Sequence, residues 1–222
     1  MQDTLIIFDC DGVLIDSEVI ACAADAEELT NAGFPFTTSE IVHRFSGVPS
    51  AEMFAIIERE FGRDLPVDLL ARIEARVLAA YRSKLKPIPG VVETLQTLGM
   101  RFCVASSSMP SKLNLGLIET GLLDFFYPHI FSSALVARGK PAPDLFLHAA
   151  QTMGTRPENC IVVEDSIAGV AAAKSAGMPA IGFVGGGHSY PDHHDNLLSA
   201  GARTVCLRFE EIPRAISRLN GG

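Results

Sequence analysis

The sequence predicts an α/β protein: a Rossmann-like parallel sheet flanked by helices, with a small all-helical domain inserted into it. Three observations predict this. Short apolar runs at 4–8, 101–105, 159–163, 179–184 and 204–207 lack polar alternation, as strands buried on both faces do. Helical patterns at 90–98, 111–120, 144–153 and 167–176 separate the later runs, the rhythm of crossovers in a parallel sheet. Between the first and second runs, about 70 residues carry helical periodicity and no strand, too many for an ordinary crossover. The α/β core is therefore expected over 1–16 and 87–222, and the helical insert over 17–86.

The first strand, Thr4-Leu5-Ile6-Ile7-Phe8, is β-branched and apolar, and ends in the turn-forming Asp9-Cys10-Asp11-Gly12. The insert reads as helices at 18–32, 39–45, 51–61 and 67–81, broken at Asn31-Ala32-Gly33, Gly47-Val48-Pro49 and 62–66. Ser39 is the expected cap of the second helix, and Lys86-Pro87-Ile88-Pro89-Gly90 leads back to the core. RFCVA at 101–105 runs into Ser106-Ser107-Ser108. Lys140 stands between Gly139 and Pro141-Ala142-Pro143, just before a helix for which Asp144 is the expected N-cap. NCIVV at 159–163 runs into Glu164-Asp165-Ser166 and the small-residue helix that contains Gly169. The strand at 179–184 leads into Gly185-Gly186-Gly187-His188, read as part of a solvated Gly, His and Asp loop. Within that loop His188, His193 and His194, with Asp192 and Asp195, share no helical or strand face that would mark a metal site.

With 222 residues, 48% of them hydrophobic and 20% charged, the chain can bury a substantial core. A formal charge of -8 and the lack of a Lys/Arg cluster argue against a nucleic-acid partner. Small anionic substrates remain compatible, because a pocket can hold a lysine and a cation beneath an acidic surface. No stretch of 18 apolar residues suggests a membrane span, and the start of the chain has no basic, then apolar, signal pattern. Five cysteines without a CxxC pair suggest buried thiols rather than disulfides or zinc, so a cytoplasmic location is expected. Nothing in the pattern fixes an oligomeric state, and a monomer is the default.

Ligands of open parallel sheets bind beyond the carboxyl ends of the strands. Asp9 and Asp11 lie two residues apart at the first such end, where they repel one another unless a proton or a hard cation intervenes. Ser106 is placed to donate to a bound anion, whereas Ser107 and Ser108 serve either the backbone or that anion. Lys140 opposes phosphate charge if it converges with Asp9. Glu164 and Asp165 add a second acidic pair. Two acidic pairs, a hydroxyl and a lysine match a phosphoryl group with magnesium.

Taken together, FDCDGVLIDS (8–17), VASSS (104–108), GKPAPDLF (139–146) and VVEDSIAGVAAAKSAGM (162–178) resemble the haloacid dehalogenase superfamily. Within it they resemble the phosphatase and β-phosphoglucomutase-like group, which carries a helical cap. The resemblance implies that Asp9 is the nucleophile and a ligand of Mg2+. Asp11 is implied as general acid and base, with its backbone carbonyl also on the metal; because it must be protonated at the first step, a raised pKa is expected in the closed complex. Ser106 would hold a phosphoryl oxygen, with Ser107 a further phosphate-binding candidate, Lys140 would neutralise charge, Asp165 would ligate Mg2+, and Glu164 would support it or serve as an alternate ligand. The implied activity is hydrolysis of a small phosphorylated metabolite, a sugar, polyol or sugar-acid phosphate, through an aspartyl-phosphate.

A β-phosphoglucomutase-like reaction is the chief alternative, and a noncatalytic phosphate-binding or regulatory role is a second. The mutases place a histidine where this chain has Ala21, and a cap arginine at the position of Ser50. Beyond the serine loop Met109-Pro110 replaces a basic-polar pair of the family, and the three losses together favour hydrolysis. Arg44, Phe45 and Ser50 are the cap residues expected to meet substrate.

Overall fold

The computed structural model describes residues 4–45, 48 and 50–221. In chain order the elements are β1 (Leu5–Phe8), α1 (Glu18–Asn31), α2 (Thr38–Phe45), α3 (Ser50–Phe61), α4 (Leu69–Lys84), α5 (Val91–Thr97), β2 (Arg101–Ser106), α6 (Pro110–Glu119), α7 (Leu123–Phe126), β3 (Ile130–Ser132), α8 (Asp144–Thr152), β4 (Cys160–Glu164), α9 (Ile167–Ser175), β5 (Ala180–Phe183), α10 (His193–Ala200), β6 (Thr204–Cys206) and α11 (Ile212–Leu219). The six strands of the described residues form one parallel sheet in the order β3-β2-β1-β4-β5-β6. All four residues of β1 are fully buried. Their alternation sends Ile6 and Phe8 into one apolar cluster and Leu5 and Ile7 into the other, so each face of the sheet has its own core. Phe8 anchors the first cluster, stacked on Phe209 and edge-on to Phe102 and Phe126 at centroid distances of 5.8, 6.2 and 6.3 Å.

The strand-free stretch is the inserted helical cap, α1 to α4. Its apolar side is continuous with the first cluster through Leu29, Phe34, Ile57 and Tyr81. The buried carboxylate of Glu28 receives Arg72 and Arg76, which ties α1 to α4. The two links to the core run side by side: Ile15 bridges Pro87, Asp16 N–H donates to the Lys86 carbonyl, and Ile88 N–H donates to the Leu14 carbonyl.

The predicted α/β core with a helical insert is the observed architecture, and several local expectations change. β3, α7, α10 and α11 carried no sequence signal strong enough to assign. β3 has only three residues, Ile-Phe-Ser, too few for a pattern. The cap of α2 is Thr37, not Ser39: Thr37 N–H donates to Glu40 and Glu40 N–H to Thr37 Oγ1, a reciprocal capping box. Asp144 is the first residue of α8 rather than its cap, and pairs with Arg138. All five cysteines are buried and free. Ser46, Gly47 and Pro49 of the expected cap loop lie outside the described residues. No helix of the described residues is long and apolar enough to cross a membrane.

Candidate active site

The order of the sheet places the reversal of strand order between β1 and β4, and the acidic residues lie at the ends of those two strands. Asp9 comes directly after β1, while Glu164 ends β4 and Asp165 follows it. Ser106 ends the neighbouring β2. Carboxylate oxygens of Asp9, Glu164 and Asp165 lie within 4.8 Å of one another, close enough for one divalent cation to bind all three. Two glycines make the convergence possible. Gly12 has a φ of 78°, and a Cβ there would overlap Asp165 Oδ2. In α9, a Cβ on Gly169 would overlap the Glu164 carboxylate.

Lys140 reaches into this cluster. Its Nζ donates to Asp9 Oδ1, to Glu164 Oε1 at 2.6 Å and to the Ala105 carbonyl at 3.0 Å, with its side chain only 4% exposed. Burial opposes its charge, but Asp9 and Glu164 outweigh burial and hold its pKa above the usual lysine value. Asp9 is raised well above the ordinary aspartate value, first by burial and then by Glu164, Asp165 and Asp11, against the pull of Lys140. A cation bound beside it would relieve that strain.

Asp11 has a different environment. Its side chain accepts from Ser17 and Ser108 Oγ at 2.6 Å each, from Tyr81 OH at 3.3 Å and from Ser106 Oγ at 3.4 Å, and Lys112 Nζ stands 3.6 Å away. Burial pushes its pKa up, but Lys112 and the hydroxyls of Ser108, Ser17 and Tyr81 prevail and hold it below the usual value. The sequence-based expectation of a raised value concerned the closed complex. In this structure the sign is reversed, because donors that chain spacing does not reveal surround the carboxylate.

These side chains open onto one cavity of about 550 Å³. Asp9, Asp11, Ser106, Ser107, Lys140, Glu164 and Asp165 all line it, as do Phe45 and Ser50 from the cap. Arg44 does not line it: its guanidinium pairs with Glu60 and lies 4.7 Å over the Phe45 ring. Ser107 is exposed, and its carbonyl accepts from Ser133 Oγ. Sequence reasoning passed over Ser17, Tyr81, Lys112, Glu18 and Asp25. Lys112 had one usable signal, its position in the first turn of the helix that follows the serines.

The glycine-rich loop departs from its expected solvated character. His188 and His193 are buried, 2% and 4% exposed. His188 Nε2 lies 3.0 Å from Asp165 Oδ2, His193 Nε2 lies 2.6 Å from the Asp165 carbonyl, and the Tyr190 ring stacks on His193. His194 stays near the surface beside Asp195. The histidines of α10 and its approach therefore brace Asp165, and among the described residues they join no metal-ligand cluster.

A family model described as haloacid dehalogenase-like hydrolase matches residues 4–177. The crystal structure of a haloacid dehalogenase-like protein of unknown function from Agrobacterium tumefaciens superposes with a TM-score of 0.92 and 41% identity, covering 98% of this chain and 99% of that one. A family hydrolase from Deinococcus radiodurans, crystallised with phosphate and sodium, gives 0.84 and 34%, covering 99% and 97%. The 6-phosphogluconate phosphatase of Escherichia coli is 33% identical over 193 residues, 86% of this chain and 87% of its own length.

Proposed function

We propose, from the premise that this chain belongs to the haloacid dehalogenase-like hydrolases and is one of their phosphatases, that it hydrolyses a small sugar, polyol or sugar-acid phosphate through an aspartyl-phosphate on Asp9. The observation that carries the proposal is the convergence of Asp9, Glu164 and Asp165 around Lys140 at the mouth of the sheet. That the E. coli relative is a 6-phosphogluconate phosphatase supports a phosphorylated carbohydrate as the substrate class.

The oxygen-only donor set and its spacing suit Mg2+, which Asp9, Asp165 and the Asp11 backbone carbonyl would hold, with Glu164 in support. When bound, the ion offsets charge on the nucleophile and the transferred oxygens. Lys140 orients Asp9 for in-line attack and neutralises part of the same charge. Ser106 and Ser107 donate to phosphoryl oxygens. Asp11 gives a proton to the departing alkoxide and later takes one from the water that hydrolyses the acylphosphate. Because Asp11 rests ionised, it must take up a proton from solvent as substrate binds, when the dianionic phosphate beside it raises the carboxyl's proton affinity. Residues 17–86 act as a cap that excludes bulk water.

Ala21 and Ser50 line the cavity without offering a base, which favours hydrolysis over return of the phosphoryl group to a sugar. The test is magnesium-dependent phosphate release from a panel of small phosphomonoesters, with glucose 1-phosphate interconversion followed alongside. Release without isomerisation is expected, and fast isomerisation with little release would overturn the choice. Asp9→Asn should abolish turnover and leave the fold intact by circular dichroism. Full activity in that variant would sink the nucleophile assignment.

A further inference from the structure

The first half of α1 forms part of the cavity wall. Glu18, Ala21, Cys22 and Asp25 all line the cavity, and their spacing of three, one and three residues puts them on one helical face. The carboxylates stand two turns apart, about 10 Å along the axis, with two small side chains between them. The result is a shallow trough with an acid at each end.

Neither carboxylate makes a hydrogen bond or ion pair among the described residues, although both are half-buried. Burial, reinforced at Glu18 by Asp11 and Asp165, raises Glu18 to about 7; burial against the pull of Lys112 raises Asp25 to about 6. Partly desolvated acceptors without a protein donor are ready partners for a ligand that brings O–H groups. The basic side chains of the cavity are already engaged, Lys112 against Asp11, Lys140 against Asp9 and Glu164, and His188 against Asp165. At neutral pH Asp25 and about half of Glu18 are ionised, so a second phosphate or a carboxylate laid along the trough would meet like charge, with no uncommitted cation beside it among the described residues.

We infer that Glu18 and Asp25 read the substrate, accepting hydroxyl hydrogens from a polyhydroxylated, uncharged organic group and rejecting one that bears a second negative charge. The inference rests on the phosphatase proposal and narrows it: neutral sugar and polyol monophosphates are substrates, whereas sugar-acid phosphates and bisphosphates are poor ones.

The test compares kcat/KM of the full chain with Mg2+ on matched pairs. Glucose 6-phosphate is set against 6-phosphogluconate, and fructose 1-phosphate against fructose 1,6-bisphosphate. p-Nitrophenyl phosphate serves as a probe without hydroxyls or a second charge. The neutral member of each pair is expected to lead by at least about tenfold, the scale of one charge-assisted hydrogen bond. In the Glu18→Gln, Asp25→Asn double variant that ratio should fall toward one, through a higher KM for the neutral sugar and a lower one for the acid. Equal or better turnover of the charged members by the unmodified chain overturns the inference on its own, even if the double variant does not fold. An unchanged ratio in a folded double variant overturns it as well. Phosphate release from p-nitrophenyl phosphate in either case shows that the phosphatase proposal survives. Its absence from every ester, the p-nitrophenyl probe included, removes that proposal and the inference with it.

Discussion

Replacing Lys140 with methionine should destabilise the fold by an amount that grows with pH. The lysine is 4% exposed, and its partners Asp9 and Glu164 are 9% and 1% exposed at their side chains. Methionine keeps apolar contact with Phe146 but leaves two buried carboxylates facing each other without a cation. Removing one partner of a buried ion pair costs about 3–5 kcal/mol, a large part of a typical stability of about 5–15 kcal/mol, so the variant should fold but weakly. The pH dependence follows from Asp9, whose folded pKa is raised by burial even with the lysine present. A carboxyl with a raised folded pKa contributes its stability below the unfolded value of about 3.9, and loses it as pH rises through the folded value. Without Lys140 that folded value moves higher still. The deficit relative to the unmodified protein should then widen as pH rises above the ordinary carboxylate range, by at most about 1.4 kcal/mol per unit for one proton. Urea unfolding followed by circular dichroism suits a chain without tryptophan. With m near 3 kcal/mol/M, the midpoint should fall by about 1–2 M at pH 8 and by less at pH 5.5. Magnesium should recover part of the loss. A deficit under about 1 kcal/mol, or one independent of pH, would refute the electrostatic reasoning.

Two further outcomes follow from the neighbours of the site. Lys112→Met removes the charge that does most to depress Asp11; at 3.6 Å that attraction is about 1 kcal/mol even at the dielectric of water. The Asp11 pKa should rise by about one unit or more. If Asp11 takes the proton from water, the acidic limb of the kcat profile should move up by the same amount, and an unmoved limb would show that Lys112 does not set it. His188→Ala frees the Asp165 carboxylate from its 3.0 Å partner. Magnesium affinity measured by calorimetry should drop by about 10- to 100-fold, the usual effect of losing a group that orients a ligand. Affinity within twofold of the parent would mean that His188 only fills space.

Much of this architecture can be read from the chain because its strands are apolar on both faces and end abruptly in charge. Phe8 followed by Asp9, and Val163 followed by Glu164 and Asp165, mark both the end of a strand and the mouth of a pocket. The residues that hold Asp11 were not legible. Ser17, Tyr81, Ser108 and Lys112 come from the cap link, α4, the loop after β2 and α6, and only the folded chain brings them to one carboxylate. His188 and His193 misled in the other direction. Three glycines before them suggest exposure, yet the loop turns inward because Gly187 N–H donates to Asp16 and both imidazoles find partners on Asp165. Glu18 and Asp25 carry no distinguishing signal in the sequence, and it is the cavity that gives them meaning.

The paired links at Ile15 and Pro87 have a consequence for the protein's history and its engineering. The chain leaves the core and returns to it one strand spacing away, about 4.8 Å. To the sheet, the excursion is therefore a cassette plugged in at a single socket. A different helical insert whose ends meet at the same socket would inherit Asp9, Lys140 and Asp165 unaltered while presenting another residue in place of Glu18. The nucleophile position and the acidic cluster stay with the core, whereas the cavity wall at Glu18 and two donors to Asp11, Ser17 and Tyr81, travel with the segment.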